Sequence, residues 1–167
     1  MSLVLVLVVG TTAGVVAWPR LARSVGTTAA PKPPAPAYKA GDTVDVPAAW
    51  YAETPYTLVL FGQSTCGACQ RAQPYLKQLV AHLEGRAAIV LATPGANLHR
   101  DAEVRYARSI GLDQSHVVEA TRTLKATVTP TLLVVNQRGE VLGAWEGVGP
   151  EDTHEALTRA IDRAIDR

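Results

Sequence analysis

The only two cysteines of the chain stand three positions apart, as Cys66-Gly67-Ala68-Cys69, between an apolar run and a helical repeat. Tyr56 to Gly62 is short and almost continuously apolar, the pattern of a strand buried on both faces. After Cys66 the residues Ala72, Tyr75, Leu76, Leu79, Val80 and Leu83 recur at helical spacing, and Gly85 supplies a stop. The first thiol therefore meets the unpaired amides and positive dipole end of a helix, which favour thiolate. The second lies one turn further in, within reach of a mixed disulfide formed at the first. The spacing by itself also fits half of a zinc ribbon or a haem attachment site. Without a second cysteine pair no four-cysteine zinc site can form, and Gln70 rather than His follows Cys69, which removes the haem reading. A redox-active pair joins all of these features; a structural disulfide and a metal site are the alternatives.

The rest of the chain alternates strand-like and helix-like units. Ala87 to Ala92 is the next apolar strand, ended by Pro94-Gly95, so strand, helix and strand imply a right-handed parallel crossover. Asp101 to Ile110 predicts a helix with Val104, Ala107 and Ile110 inward and with Asp101, Glu103, Arg105 and Arg108 on a solvated face. A short strand at His116-Val117-Val118 and a short helix over Glu119 to Ala126 follow. Thr131 to Asn136 and Glu140 to Trp145 flank Gln137-Arg138-Gly139 as an antiparallel hairpin. The last helix opens at Pro150-Glu151-Asp152 and carries Ala156, Leu157, Ala160, Ile161, Ala164 and Ile165 as its apolar stripe. Trp50 and Trp145 read as packing residues at the domain edge.

The N-terminal part is of another kind. Leu3 to Trp18 is uncharged and mostly apolar, at the short end of what spans a bilayer. Residues 1–23 read as a signal anchor or signal peptide. Residues 24–40, with Pro31, Pro33, Pro34 and Pro36, read as a semi-rigid linker, and 41–167 as the globular domain. Arg20 and Arg23 follow the apolar run with no basic residue before it, which by the positive-inside rule retains the domain in the cytoplasm. A basic stretch upstream of Met1 would reverse that orientation.

A net charge of +1 over 167 residues, with Lys and Arg scattered, argues against a nucleic-acid partner. His82, His99, His116 and His154 are dispersed and read as surface or loop histidines. Soft thiolates favour cuprous ion, so a copper chaperone using Cys66, Cys69 and one His is the alternative function from another class.

Over Ala40 to Arg167 the chain resembles the thioredoxin superfamily. The resemblance rests on the C-x-x-C after the central strand, Pro74 in the following helix, Thr129-Pro130-Thr131 opening a hairpin, and the closing amphipathic helix. Leu98 to Gly111 resembles the helical insertion of membrane-anchored TlpA-like thiol–disulfide reductases. What the resemblance implies is an α/β thioredoxin fold, a mixed central sheet with helices on both faces and a helical insertion after the crossover strand. It also implies a redox-active disulfide between Cys66 and Cys69, a cis bond before Pro130, and substrate-backbone binding by Thr129 and Pro130. A cis bond is available there because it costs only about 0.5–1 kcal/mol before Pro. The implied partners are a protein disulfide substrate, an upstream dithiol donor and, through the N-terminal helix, the membrane, with no dissociable cofactor. Its implied place is outside the cytoplasm, on the periplasmic side, anchored to the inner membrane or exported. The chain departs from the family pattern at Thr65 (often Trp), Ala68 (often Pro) and Leu60 (often a buried acid), and Thr93 to Ala96 offers no proton-transferring Glu.

Overall fold

The computed structural model describes residues 38–94, 96–121 and 124–167. The proposed anchor and most of the proposed linker lie outside these residues. Among the described residues no helix is long and apolar enough to cross a membrane.

Strand β1 (Tyr56–Phe61) runs into helix α1 (Gly67–Leu83), and the chain returns through β2 (Ala88–Thr93). Helix α2 (Arg100–Ser109) leads to the short strand β3 (Val117–Glu119), after which β4 (Thr131–Asn136), β5 (Val141–Glu146) and helix α3 (His154–Ile165) complete the order. These strands form one mixed sheet in the order β3-β2-β1-β4-β5. β1 pairs in parallel with β2, Val59 opposite Val90, and antiparallel with β4, Val59 opposite Leu133. β1 is therefore central, and Thr57, Leu58, Val59 and Leu60 are all buried. That is why its sequence is an almost continuous apolar run and not an alternation.

Side chains alternate across the pleat and divide the interior in two. Leu58 and Leu60 of β1, Leu91 of β2 and Leu132 and Val134 of β4 meet α1, α2 and α3 in one cluster. Val59, Leu133, Val135 and Val141 face a second cluster with Tyr38, Val44 and Leu124. The expectation of helices on both faces is thus met unequally. All three α-helices join the first cluster, and the second face is covered by the segment from Tyr38 through the 3-10 turn Ala48–Trp50 and by chain around Leu124. The reason is topological: β1, β2 and β3 step in one direction across the sheet, so crossovers of one hand lay α1 and α2 on the same side.

Tyr38, assigned to the linker by its composition, is 1% exposed, and its hydroxyl accepts the Lys125 amide at 2.9 Å. Gly41 and Asp42 exchange backbone bonds with Val141, so this segment covers part of the β5 edge. The helix expected over Glu119 to Ala126 is not found at its described residues. Glu119 ends β3 opposite Thr93, and 120, 121 and 124–126 are irregular. In α3 the inner stripe is Ile161, Ala164 and Ile165, while Ala156 is exposed. The 3-10 turn Glu151–Thr153 ahead of α3 delays the regular helix. The hairpin turn is as expected, with Gly139 at φ 75°; a Cβ there would also stand 2.7 Å from the Tyr51 hydroxyl.

Candidate active site

The end of β1 delivers the chain to the start of α1, and Cys66 is the N-cap of that helix. Its sulfur takes the role that a Ser or Asp oxygen usually has, accepting the Cys69 amide at 3.1 Å. From the other side the Thr129 hydroxyl donates to the same sulfur at 3.1 Å, and the Thr129 carbonyl lies 3.6 Å from it. The Thr129–Pro130 bond is cis, as the resemblance implied. The structure therefore brings Cys66 and Cys69 together with Thr129 and Pro130 from sequence positions sixty or more residues apart.

The two thiols differ in environment. Cys66 is partly exposed, whereas Cys69 is 0% exposed. Burial opposes ionisation of Cys66, but donors from Cys69, Thr129 and the Ala68 backbone outweigh it and hold this thiol below its ordinary value. Burial, reinforced by the neighbouring Cys66, pushes the Cys69 thiol up to about 11. The outer sulfur is thus the more readily ionised one. Among the described residues no group of three or more His, Cys, Asp or Glu side chains is placed to hold a metal ion.

Two side chains of α2, Glu103 and Tyr106, support this site. Glu103, expected on a solvated face, is 2% exposed. Its carboxyl oxygens accept the Ser64 amide at 2.8 Å and the Ser64 hydroxyl at 2.6 Å, two residues before Cys66. Asp101, Arg105 and Arg108 do face solvent. The signal for Glu103 was its spacing: 103, 107 and 110 lie at i, i+4 and i+7, on one stripe with Ala107 and Ile110. Tyr106, also buried, donates to the Cys69 carbonyl at 3.4 Å. Burial, with the nearby thiols and Glu103, raises its phenol above the ordinary value and keeps it a donor. Gly62 makes room for both, since a Cβ there would stand 3.5 Å from the Cys69 sulfur and 3.8 Å from the Tyr106 hydroxyl. Leu60, where many thioredoxins carry an acid, is 1% exposed and part of the core. Glu119 accepts the Asn97 amide at 2.8 Å.

Residues 49–161 match the thioredoxin-like domain family. No curated protein sequence matches the chain. Among solved structures it is similar to a chain described as the thiol:disulfide interchange protein DsbE of Chlorobium tepidum. That pair is 22% identical with a TM-score of 0.52, covering 66% of this chain and 79% of the other. StoA of Bacillus subtilis is 15% identical with a TM-score of 0.51, over 74% and 95% of the two chains. The thioredoxin domain of thiol-disulfide oxidoreductase BVU-2223 of Bacteroides vulgatus is 12% identical with a TM-score of 0.52, over 73% and 97%. The chain belongs to the thioredoxin-like family of thiol–disulfide oxidoreductases, with Cys66 and Cys69 as its C-x-x-C pair.

Proposed function

We propose that the protein reduces protein disulfides outside the cytoplasm. The observation that carries this reading is the asymmetry of the thiol pair, a partly exposed capped sulfur at Cys66 against a fully buried one at Cys69. Cys66 thiolate attacks one sulfur of a substrate disulfide, forming a Cys66–substrate bond and releasing the other substrate sulfur as thiolate. Cys69, deprotonated as the pair reacts, attacks the Cys66 sulfur and expels the second substrate thiolate. The substrate gains two electrons and the protein ends as the Cys66–Cys69 disulfide. An upstream dithiol must then return it to the reduced form. Thr129, whose carbonyl lies 3.6 Å from the Cys66 sulfur, and Pro130 next to it would bind the backbone around the substrate cystine, an edge-on pairing that asks little of substrate sequence. Export is supported by the apolar run Leu3 to Trp18, the Pro-rich stretch after it and the resemblance to TlpA-like reductases. Residues 1–23 would then anchor or target the chain and 24–37 would space it from the bilayer.

A membrane-impermeant maleimide applied to intact cells tests direction and place together. Labelling of Cys66 without lysis and without added reductant is the expected result. Labelling only after lysis would place the domain in the cytoplasm. Labelling only after dithiothreitol treatment would mean that the pair is held oxidised, and the protein would then be an oxidant.

A further inference from the structure

Helix α2 brings a phenol to the buried member of the thiol pair. Tyr106 is 4% exposed and follows Glu103 by three positions, so both side chains lie on one face of the helix. Its hydroxyl donates to the Cys69 carbonyl at 3.4 Å. A good O–H···O bond spans about 2.5–3.0 Å, and the carbonyl of a residue in α1 already serves the helix ladder. The contact is thus a weak second bond to an acceptor that does not need it. A buried hydroxyl held in that way has capacity left for a stronger acceptor beside it.

That acceptor is the Cys69 sulfur. The point where a side chain on Gly62 would begin lies 3.5 Å from this sulfur and 3.8 Å from the Tyr106 hydroxyl. Sulfur and hydroxyl therefore border one small space at the end of β1, and residue 62 puts nothing into it. As a thiol Cys69 accepts weakly; as a thiolate it accepts strongly. The other groups around the sulfur are the Gln63 backbone, Cys66 and the Thr129 hydroxyl. Glu103 reaches Tyr106 through its charge, but both of its oxygens are occupied by Ser64. Burial, then the charges on Cys69, Cys66 and Glu103, hold the phenol proton in place, so Tyr106 stays a donor while the thiol beside it ionises.

We propose, resting on the disulfide-exchange reading above, that the Tyr106 hydroxyl turns from the Cys69 carbonyl to the Cys69 sulfur as that sulfur loses its proton, and so makes the buried thiol competent to resolve the mixed disulfide. In this step the Cys69 proton passes to the substrate thiolate released in the first step. The Cys69–Cys66 bond forms as the Cys66–substrate bond breaks, and the electron pair leaves on the second substrate sulfur. Tyr106 keeps its own proton throughout.

Dipyridyl disulfide, in excess over the reduced full chain, reads the two steps separately. Attack by Cys66 releases one thiopyridone and attack by Cys69 on Cys66 releases the other, as two phases in stopped-flow absorbance. Tyr106→Phe removes only the hydroxyl. The first release should stay within about twofold of the native rate, and the second should slow by about three- to tenfold. The lower figure is a tenfold loss of thiolate, less than half of which is recovered on a logarithmic scale as nucleophilicity rises. The pH profile of the second release should move upward by about half a pH unit to one, a displacement that a packing role alone would not produce. A fluorotyrosine placed at 106, with the same ring and a more acidic hydroxyl, should speed the second release, and this arm holds even where Tyr106→Phe folds poorly. A second release unchanged in either variant, or both releases slowed alike, would overturn the role of Tyr106. If the native protein shows no second release, Cys69 does not resolve mixed disulfides, and the exchange reading fails and this inference with it.

Discussion

Cys69→Ser should accumulate a covalent complex with a protein disulfide substrate, and Cys66→Ser should accumulate none. The difference follows from burial and ionisation. Cys69 is 0% exposed and its thiol is raised to about 11, so at pH 7 only about one molecule in ten thousand carries it as thiolate. The higher basicity of that thiolate recovers less than half of the loss on a logarithmic scale, since nucleophilicity rises with pKa with a coefficient of about 0.4–0.5. Access removes more, because a substrate disulfide cannot reach a fully covered sulfur. Cys66→Ser should therefore lower exchange by about a thousandfold or more. In Cys69→Ser the attack still occurs at Cys66, but the resolving thiol is gone and the mixed disulfide persists. Non-reducing electrophoresis with mass spectrometry reads the complex and its bonded residue. Equal trapping by the two variants would reverse or erase the assigned roles.

Glu103→Ala should destabilise the protein by about 2–4 kcal/mol, a large part of the roughly 5–15 kcal/mol that holds a domain folded. The side chain is 2% exposed and both of its interactions are to Ser64. Truncation leaves the Ser64 amide and hydroxyl without their acceptors, each an unsatisfied group worth about 1–3 kcal/mol if it stays covered. It also opens a void beside the strand-to-helix connection that presents Cys66. Glu103→Gln keeps one acceptor oxygen and should cost about half as much. Urea titration measures both, as a lower midpoint with an unchanged slope. A change below about 0.5 kcal/mol for Glu103→Ala would mean that this carboxyl does not clamp the loop.

The elements closest to the thiols were the most legible in the sequence. A strand buried on both faces has to be largely apolar, and Tyr56 to Phe61 is, with Thr57 the one polar residue. The inner face of α1 shows as a strict periodicity, and the β4–β5 turn as a glycine between two apolar runs. What escaped was set by contacts distant in sequence. Glu103 lay on the inward stripe of α2, but its charge outweighed its spacing because nothing local announces Ser64 as its partner. Tyr38 looks like linker by composition and joins the core on the second sheet face, which no α-helix covers among the described residues. Helix α3 begins four residues after Pro150, leaving His154 stacked on Tyr75, an offset that no local pattern encodes. Thr129 and Pro130 were located by resemblance, and their place against Cys66 is a property of the β1–β4 pairing.

Disulfide exchange by this pair requires Cys66 to be the ionised, attacking member, and alkylation of the fully reduced protein as a function of pH tests that most directly. Cys66 is lowered from 9.0 and Cys69 is raised to about 11. Thiolate reactivity is lost as pH falls through each value, so the two sites should separate along the pH axis. Iodoacetamide with site-resolved mass spectrometry should find Cys66 modified first, with a rate that declines only below pH 9. Cys69 should be modified only as the pH approaches 11. Modification of Cys69 ahead of Cys66, or the two sites rising together near pH 9, would contradict the assignment.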